Sequence, residues 1–313
     1  APSTQTDRVV GHFHIYYDTT GPNSPALIDA GHQRIAGTAE AYVDSVGRIL
    51  SHVWSFETNG LGYSQPPLGP DSTYQVTILE LSPGLYGQTI PDPTPISAGP
   101  PPRYATRIEV DNDFRQAQYY SRGISGLEVT LAHEFHHAIQ LGAYGFWGDA
   151  ERYFYEITST WMEDVVYTDV NDYYQYLSND LFQTSQFSTP DIRFTKSDQS
   201  IEYSRAVWGK FIEKRFSRTM MRRTWEFMRQ VGSLDAMDRA LGESGSSLRA
   251  ASLEYAYWNF NTGPAADTSR FYPEGRSYPV MRIASTADYL PPGISLRDSM
   301  QAIGSEYHKI CIL

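Results

Sequence analysis

Two histidines and a glutamate stand at a spacing that suits metal chemistry. In His133-Glu134-Phe135-His136-His137 the first and last histidines are four apart, one turn along the same side of a helix. Two imidazoles so placed can share one divalent cation. Glu134, beside the first histidine, can then reach a water on that cation and take its proton. The chemistry implied is hydrolysis by an activated water.

A third ligand has to come from elsewhere in the chain. An all-histidine extension of the motif would need glycine at 140 and histidine at 143, where the chain has Gln140 and Ala143. The single cysteine, Cys311, lies far downstream, and so does the one later histidine, His308. A carboxylate remains, from Glu151, Glu156 or Glu163. On a helical wheel Glu156, Thr160 and Glu163 share a stripe about 60° wide, with Glu151 about 140° from Glu156. That helix can present Glu156 to the metal, with Glu163 as the rival or as a partner to a ligand histidine. His136 lies about 60° from His133 and about 100° from His137, so it reads as structural or as a polar group of the cleft.

The motif needs a helix with a buried back. Leu127, Leu131, Phe135, Ala138 and Ile139 gather opposite the metal-type residues, and the helix is expected over 125–141, with Ser125 as cap and Gly142 as stop. Asp149 can cap a second helix reaching about Tyr167, in which Trp161 and Met162 read as core. Upstream, residues 9–17 read as one strand, 32–56 as a long amphipathic helix, 57–72 as loop, and 74–81 and 105–111 as strands. Prolines at 91, 93, 95, 100, 101 and 102 argue against regular structure over 83–103. Asp111-Asn112-Asp113 reads as a turn rather than a calcium loop, and the strand before it as an edge to which extended substrate can pair. Helices are expected at 201–216, 218–231, 233–241 and 246–260, and short strands at 278–283 and 307–313. The loop residues Tyr144, Phe146 and Trp147 can line a specificity pocket or seal two lobes together.

Bulk properties narrow the class. The 313 residues are 41% hydrophobic and 19% charged, with a net charge of −11. That is a globular composition, and its acidity disfavours nucleic acid as a partner. No stretch approaches the roughly 18 consecutive apolar residues of a membrane span. One cysteine excludes an intramolecular disulfide and a cysteine-rich zinc site. An acidic, cysteine-poor chain with 23 tyrosines that begins Ala-Pro-Ser fits a secreted bacterial protein.

His133-Glu134-x-x-His137, eighteen residues, Glu156, then six residues and Glu163 resembles the gluzincin zinc metallopeptidases. The wording His-Glu-Phe-His-His-Ala-Ile-Gln, with Glu156-Ile-Thr-Ser-Thr-Trp-Met-Glu-Asp-Val-Val-Tyr167 and Ile108-Glu-Val-Asp-Asn-Asp-Phe114, resembles a family of secreted bacterial metalloproteases. The likeness runs over about residues 10–260 in the order of elements and is specific around the two helices. The pattern of elements reads as an α+β fold: a strand-containing upper lobe with the motif helix (1–142), a mainly helical lower lobe (143–262) and a mixed C-terminal segment (263–313), and the resemblance makes it gluzincin-like. The likeness implies zinc (Zn2+) on His133, His137 and Glu156, Glu134 as general base, and Tyr203 as oxyanion stabiliser. The Gly-x-Met-Glu-Asn segment by which related aminopeptidases hold a free amino terminus is absent, so the resemblance implies an endopeptidase acting on proteins or peptides. The alternatives are a catalytically silent, zinc-containing domain that binds peptides, and a zinc hydrolase of non-peptide amides or esters.

Overall fold

The structure is a computed structural model that describes residues 4–178, 184–197, 201–289 and 303–312. It is an α+β arrangement built on a five-stranded mixed sheet in the order β1-β2-β3-β5-β4: β1 Thr6–Val10, β2 Phe13–Tyr17, β3 Tyr74–Leu79, β4 Gly87–Pro91 and β5 Thr106–Asp111. β2, β3 and β5 run parallel, and β1 and β4 pair antiparallel at the two ends. β3 and β5 are buried along most of their length because both faces are covered, although each alternates apolar with polar residues.

Two helices back the sheet. α1 (Ala39–Trp54) crosses from β2 to β3 and buries Tyr42, Val43, Val46, Ile49, Leu50 and Val53. α2 (Gly123–Ile139) follows β5, carries the histidines and packs on α1, β4 and β5. Each ends in a wide π turn, Ser55–Gly60 and Gln140–Tyr144. α3 (Arg152–Val166) lies against α2. Beyond it come α4 (Tyr174–Leu177), α5 (Ile201–Ser204), α6 (Ala206–Arg215), α7 (Arg218–Phe227), α8 (Ser233–Gly242) and α9 (Leu248–Phe260), then a parallel pair, β6 (Ser285–Tyr289) and β7 (His308–Ile312). Buried side chains from Phe13 to Met281 form one continuous cluster. Among the described residues no helix is long and apolar enough to cross a membrane.

Several expectations need correction. The strand at 9–17 is a hairpin, β1 and β2, because Gly11 and His12 reverse the chain. The helix expected from 32 starts at Ala39; Ile35 is 41% exposed and outside the core. The proline-rich stretch holds a strand after all. β4 ends at its first proline, Pro91, and an edge strand tolerates a residue without N–H. The edge is therefore β4, while β5 is enclosed between β3 and β4. α2 begins two residues before Ser125, after Arg122, and runs through Gly142, which has helical geometry; it stops at Gly145, whose φ of 96° leaves the helix. Asp149 makes no capping bond and opens a short 3-10 turn ahead of α3. The helix expected at 201–216 is divided into α5 and α6. Residues 278–283 form no strand; the pairing falls on β6 instead. Residue 313 lies outside the described residues.

The turn after β5 is a hydrogen-bonded one. Asp111 Oδ1 accepts from the backbone N–H of Asp113 and Phe114, Tyr119 donates to its Oδ2, and Asp113 pairs with Arg34 and Arg115. The aromatic loop seals helices together. Ser64 N–H donates to the Tyr144 hydroxyl, Trp147 Nε1 donates to Met228 O, and Phe146 packs on Tyr155.

Candidate metal centre

α2 and α3 bring the residues of the centre together by their packing. Phe135, Ala138 and Ile139 are fully buried behind α2, and this holds the histidine face towards α3. His133 Nε2 lies 3.4 Å and His137 Nε2 3.3 Å from one oxygen, Glu156 Oε2. The three groups offer ligand atoms all within 4.8 Å of one another. They can hold a metal ion.

The second nitrogen of each imidazole is already engaged. His133 Nδ1–H donates to Glu163 Oε1 at 2.7 Å. His137 Nδ1–H faces Gln140 Oε1 at 2.7 Å, with Ser159 Oγ at 3.2 Å. Gln140 is fixed in turn, since its Nε2 lies 2.9–3.1 Å from Tyr155 O, Thr158 Oγ1 and Ser159 Oγ. With its Nδ1 so engaged, each ring turns its Nε2 towards Glu156. Arg152 Nε, 3.5 Å from Glu156 Oε1, occupies the other carboxylate oxygen.

This donor set fits a tetrahedral cation. Bonds of about 2.0–2.1 Å place neighbouring ligand atoms about 3.3 Å apart, which is the separation found on both sides of Glu156. Three electron-rich atoms at that range repel unless a positive charge lies among them. The acid–base balance carries the same mark. Burial works against a charge on His133, yet Glu156 and Glu163 hold its pKa well above the ordinary value. Burial would raise Glu156, yet His137 and His133 hold it well below. Burial pushes Glu163 up to about 8 against the pull of His133. A proton on His133 here does the electrostatic work a metal ion would do.

Glu134 sits beside the centre, 7% exposed. Thr89, on β4, has Oγ1 2.7 Å from Glu134 Oε2 and 2.8 Å from Glu134 O, and its single O–H donates to one of them. Tyr203, on α5, stacks at 6.2 Å on the His133 ring and at 4.9 Å on Tyr176. Burial, then Glu156 and Glu202, push its pKa well above that of free tyrosine, so its hydroxyl stays a donor. His133, Glu134, Glu163 and Tyr203 line one cavity of about 150 Å3.

The structure thus brings His133, Glu134, His137, Glu156 and Tyr203 to one place, and gives Glu163 to His133 as its partner. His136 points away, buried against Glu57. Thr89, Gln140 and Ser159 were not read from the sequence as parts of the site. Gln140, three residues after His137 on the same helix face, carried a usable signal; Thr89, within the proline-rich stretch, carried none.

A scan against protein-family models finds no match, and a search of curated proteins finds none either. The functional reading therefore rests on the geometry of the site.

Proposed function

We propose that the protein is a zinc-dependent hydrolase of peptide bonds, an endopeptidase of gluzincin type that acts outside the cell. The observation that carries this reading is the convergence of two imidazole nitrogens on Glu156 Oε2 at 3.3 and 3.4 Å, with Glu134 in the wall of the adjoining cavity. Imidazole and carboxylate donors at tetrahedral separation suit zinc. When bound, zinc supplies a Lewis acid that acidifies a water and polarises a carbonyl.

The protein's own groups do the rest. Glu134 takes a proton from the attacking water and delivers it to the amine nitrogen as the C–N bond breaks. Thr89 holds the Glu134 carboxylate in place from the edge strand. Tyr203, kept protonated by its surroundings, donates to the carbonyl oxygen as negative charge builds on it. The outer edge of β4, unpaired among the described residues, offers N–H and C=O groups to an extended chain. A purely structural metal site gains nothing from a glutamate placed as Glu134 is. That weighs against a silent binding domain.

Hydrolysis of quenched fluorescent casein by the wild type and by Glu134→Gln, at matched zinc content, tests the reading. The variant is expected to keep its zinc and lose about 10²–10⁴-fold in rate. Near-normal turnover in Glu134→Gln would overturn the mechanism. Intact casein alongside cleavage of small amides or esters would move the substrate class. Zinc in both proteins with no hydrolysis of any substrate would favour a binding domain.

A further inference from the structure

We propose that the cavity beside the metal centre recognises a short side chain bearing a hydroxyl or carboxamide, such as Ser, Thr or Asn, on the residue flanking the bond to be cut. This inference rests on the peptidase reading above and gives it a substrate preference.

The cavity is about 150 Å3, and its wall includes His133 and Glu134. Whatever side chain enters it lies against the reacting groups. Two polar atoms of that wall lack partners. Thr130 Oγ1 and Glu163 Oε2 are buried without a hydrogen bond, in residues only 4% and 6% exposed. The other Glu163 oxygen is taken by His133, so Oε2 is the one left to a ligand. Buried polar atoms are nearly always satisfied, and an orphan calls for a missing partner. A hydroxyl such as that of Thr130 both gives and accepts, and a carboxyl oxygen accepts. A group that donates and accepts, a hydroxyl or an amide, suits either.

Charge and size narrow the choice. Glu134, Glu163 and Asp172 line the cavity and no lysine or arginine does, which disfavours an acidic side chain. Asp172 contributes field rather than a free bond: Ser121 N–H and the Tyr86 hydroxyl reach its Oδ1, and Gln175 reaches its Oδ2. Length is limited as well. The volume is that of a benzene-sized group, and part of it adjoins the catalytic residues. The wall of β4 already presses close, because a Cβ on Gly87 would stand 2.7 Å from Thr130 Cγ2 and 3.2 Å from Glu134 Cγ. A site built to pair a hydroxyl discriminates strongly against analogues that lack one.

The test uses the zinc-loaded full chain and dipeptide hydroxamates that differ only in the side chain next to the chelating group: Ser, Asn, Ala, Leu or Asp. Calorimetry is expected to give Kd values about tenfold lower for Ser and Asn than for Ala and Leu, with Asp the weakest. Thr130→Val, of equal shape, should erase the Ser advantage at unchanged zinc content, and Thr130→Ser should retain it. Ala or Leu binding the wild type as tightly as Ser would overturn the proposal and make the cavity a water pocket. The same series offered as peptides separates the two readings. Cleavage without preference sinks the pocket alone. Preference among the hydroxamates with no peptide cleaved upholds the pocket and sinks the peptidase.

Discussion

His133 and His136 stand three residues apart on α2, and each has Nδ1 2.7 Å from a glutamate oxygen. The two pairs have opposite surroundings. His133 and Glu163 open onto a cavity, and the free nitrogen of His133 meets a second carboxylate, Glu156. His136 and Glu57 are fully buried, and neither His136 Nε2 nor Glu57 Oε1 has a partner. Burial drives Glu57 well above and His136 well below their usual pKa values. The inner pair is thus an uncharged hydrogen bond, whereas in the outer set a second carboxylate, Glu156, held well below its usual pKa, helps keep a proton on His133. What separates them is whether a second anion converges on the free ring nitrogen. With it, the pair can serve a cation; without it, the pair can only pin α1 to α2. Each helix supplies an accessory residue from its terminal π turn, Glu57 for the inner pair and Gln140 for the outer set.

Removing each glutamate should separate stability from metal binding. Glu57→Ala leaves His136 buried without its partner and opens a void. It should cost about 3 kcal/mol of stability, read by denaturant unfolding of the metal-free protein, with zinc affinity of the folded protein unchanged. Glu163→Ala should do the reverse: a smaller stability loss and a 10–100-fold weaker zinc affinity, read by chelator competition. Equal zinc losses in the two variants would abolish the distinction between the pairs.

Proton linkage sharpens the contrast. His133 is held protonated above its usual range, and a metal needs the ring neutral. Zinc affinity of the wild type should therefore rise with pH by up to about tenfold per unit through the neutral range, levelling off once His133 has lost its proton. The same proton stabilises the metal-free fold fully below the unfolded value near 6.5, and that contribution fades as pH rises through the folded value. His136 should remain neutral throughout, and its ring signals should not move in an NMR titration over the same range. A flat zinc affinity across neutral pH would show that His133 carries no proton to displace.

Much of this centre could be read from the chain because it lies on two helices, where side-chain direction follows from residue number. The wheel put His133 and His137 on one side and Phe135 and Ile139 on the other, and the structure has them so. It also put Glu156 and Glu163 on one stripe, and both meet His133. The strands were harder. Thr89 and Gly87 sit in a strand bounded by prolines, and a five-residue edge strand depends on a partner, β5, rather than on any periodicity of its own. The Glu57 contact had no local signal either, since it joins residues 79 apart through a π turn that breaks the expected helical spacing. Hairpin turn, helix start and edge-strand identity all failed for that reason: tertiary pairing decided them.

The smallest expected effect concerns how His137 is held. Its Nδ1 has two neighbours, Gln140 Oε1 at 2.7 Å and Ser159 Oγ at 3.2 Å. The shorter contact should orient the ring, because Gln140 is anchored through its amide to α3 while Ser159 also serves as one of those anchors. Ser159→Ala should weaken zinc binding by no more than about threefold, whereas Gln140→Ala should approach the tenfold or greater loss of a lone orienting partner. Chelator competition on both variants measures this directly. If Ser159→Ala costs as much as Gln140→Ala, the hydroxyl shares with the amide the orienting of His137, and α3 takes a direct part in holding both histidines.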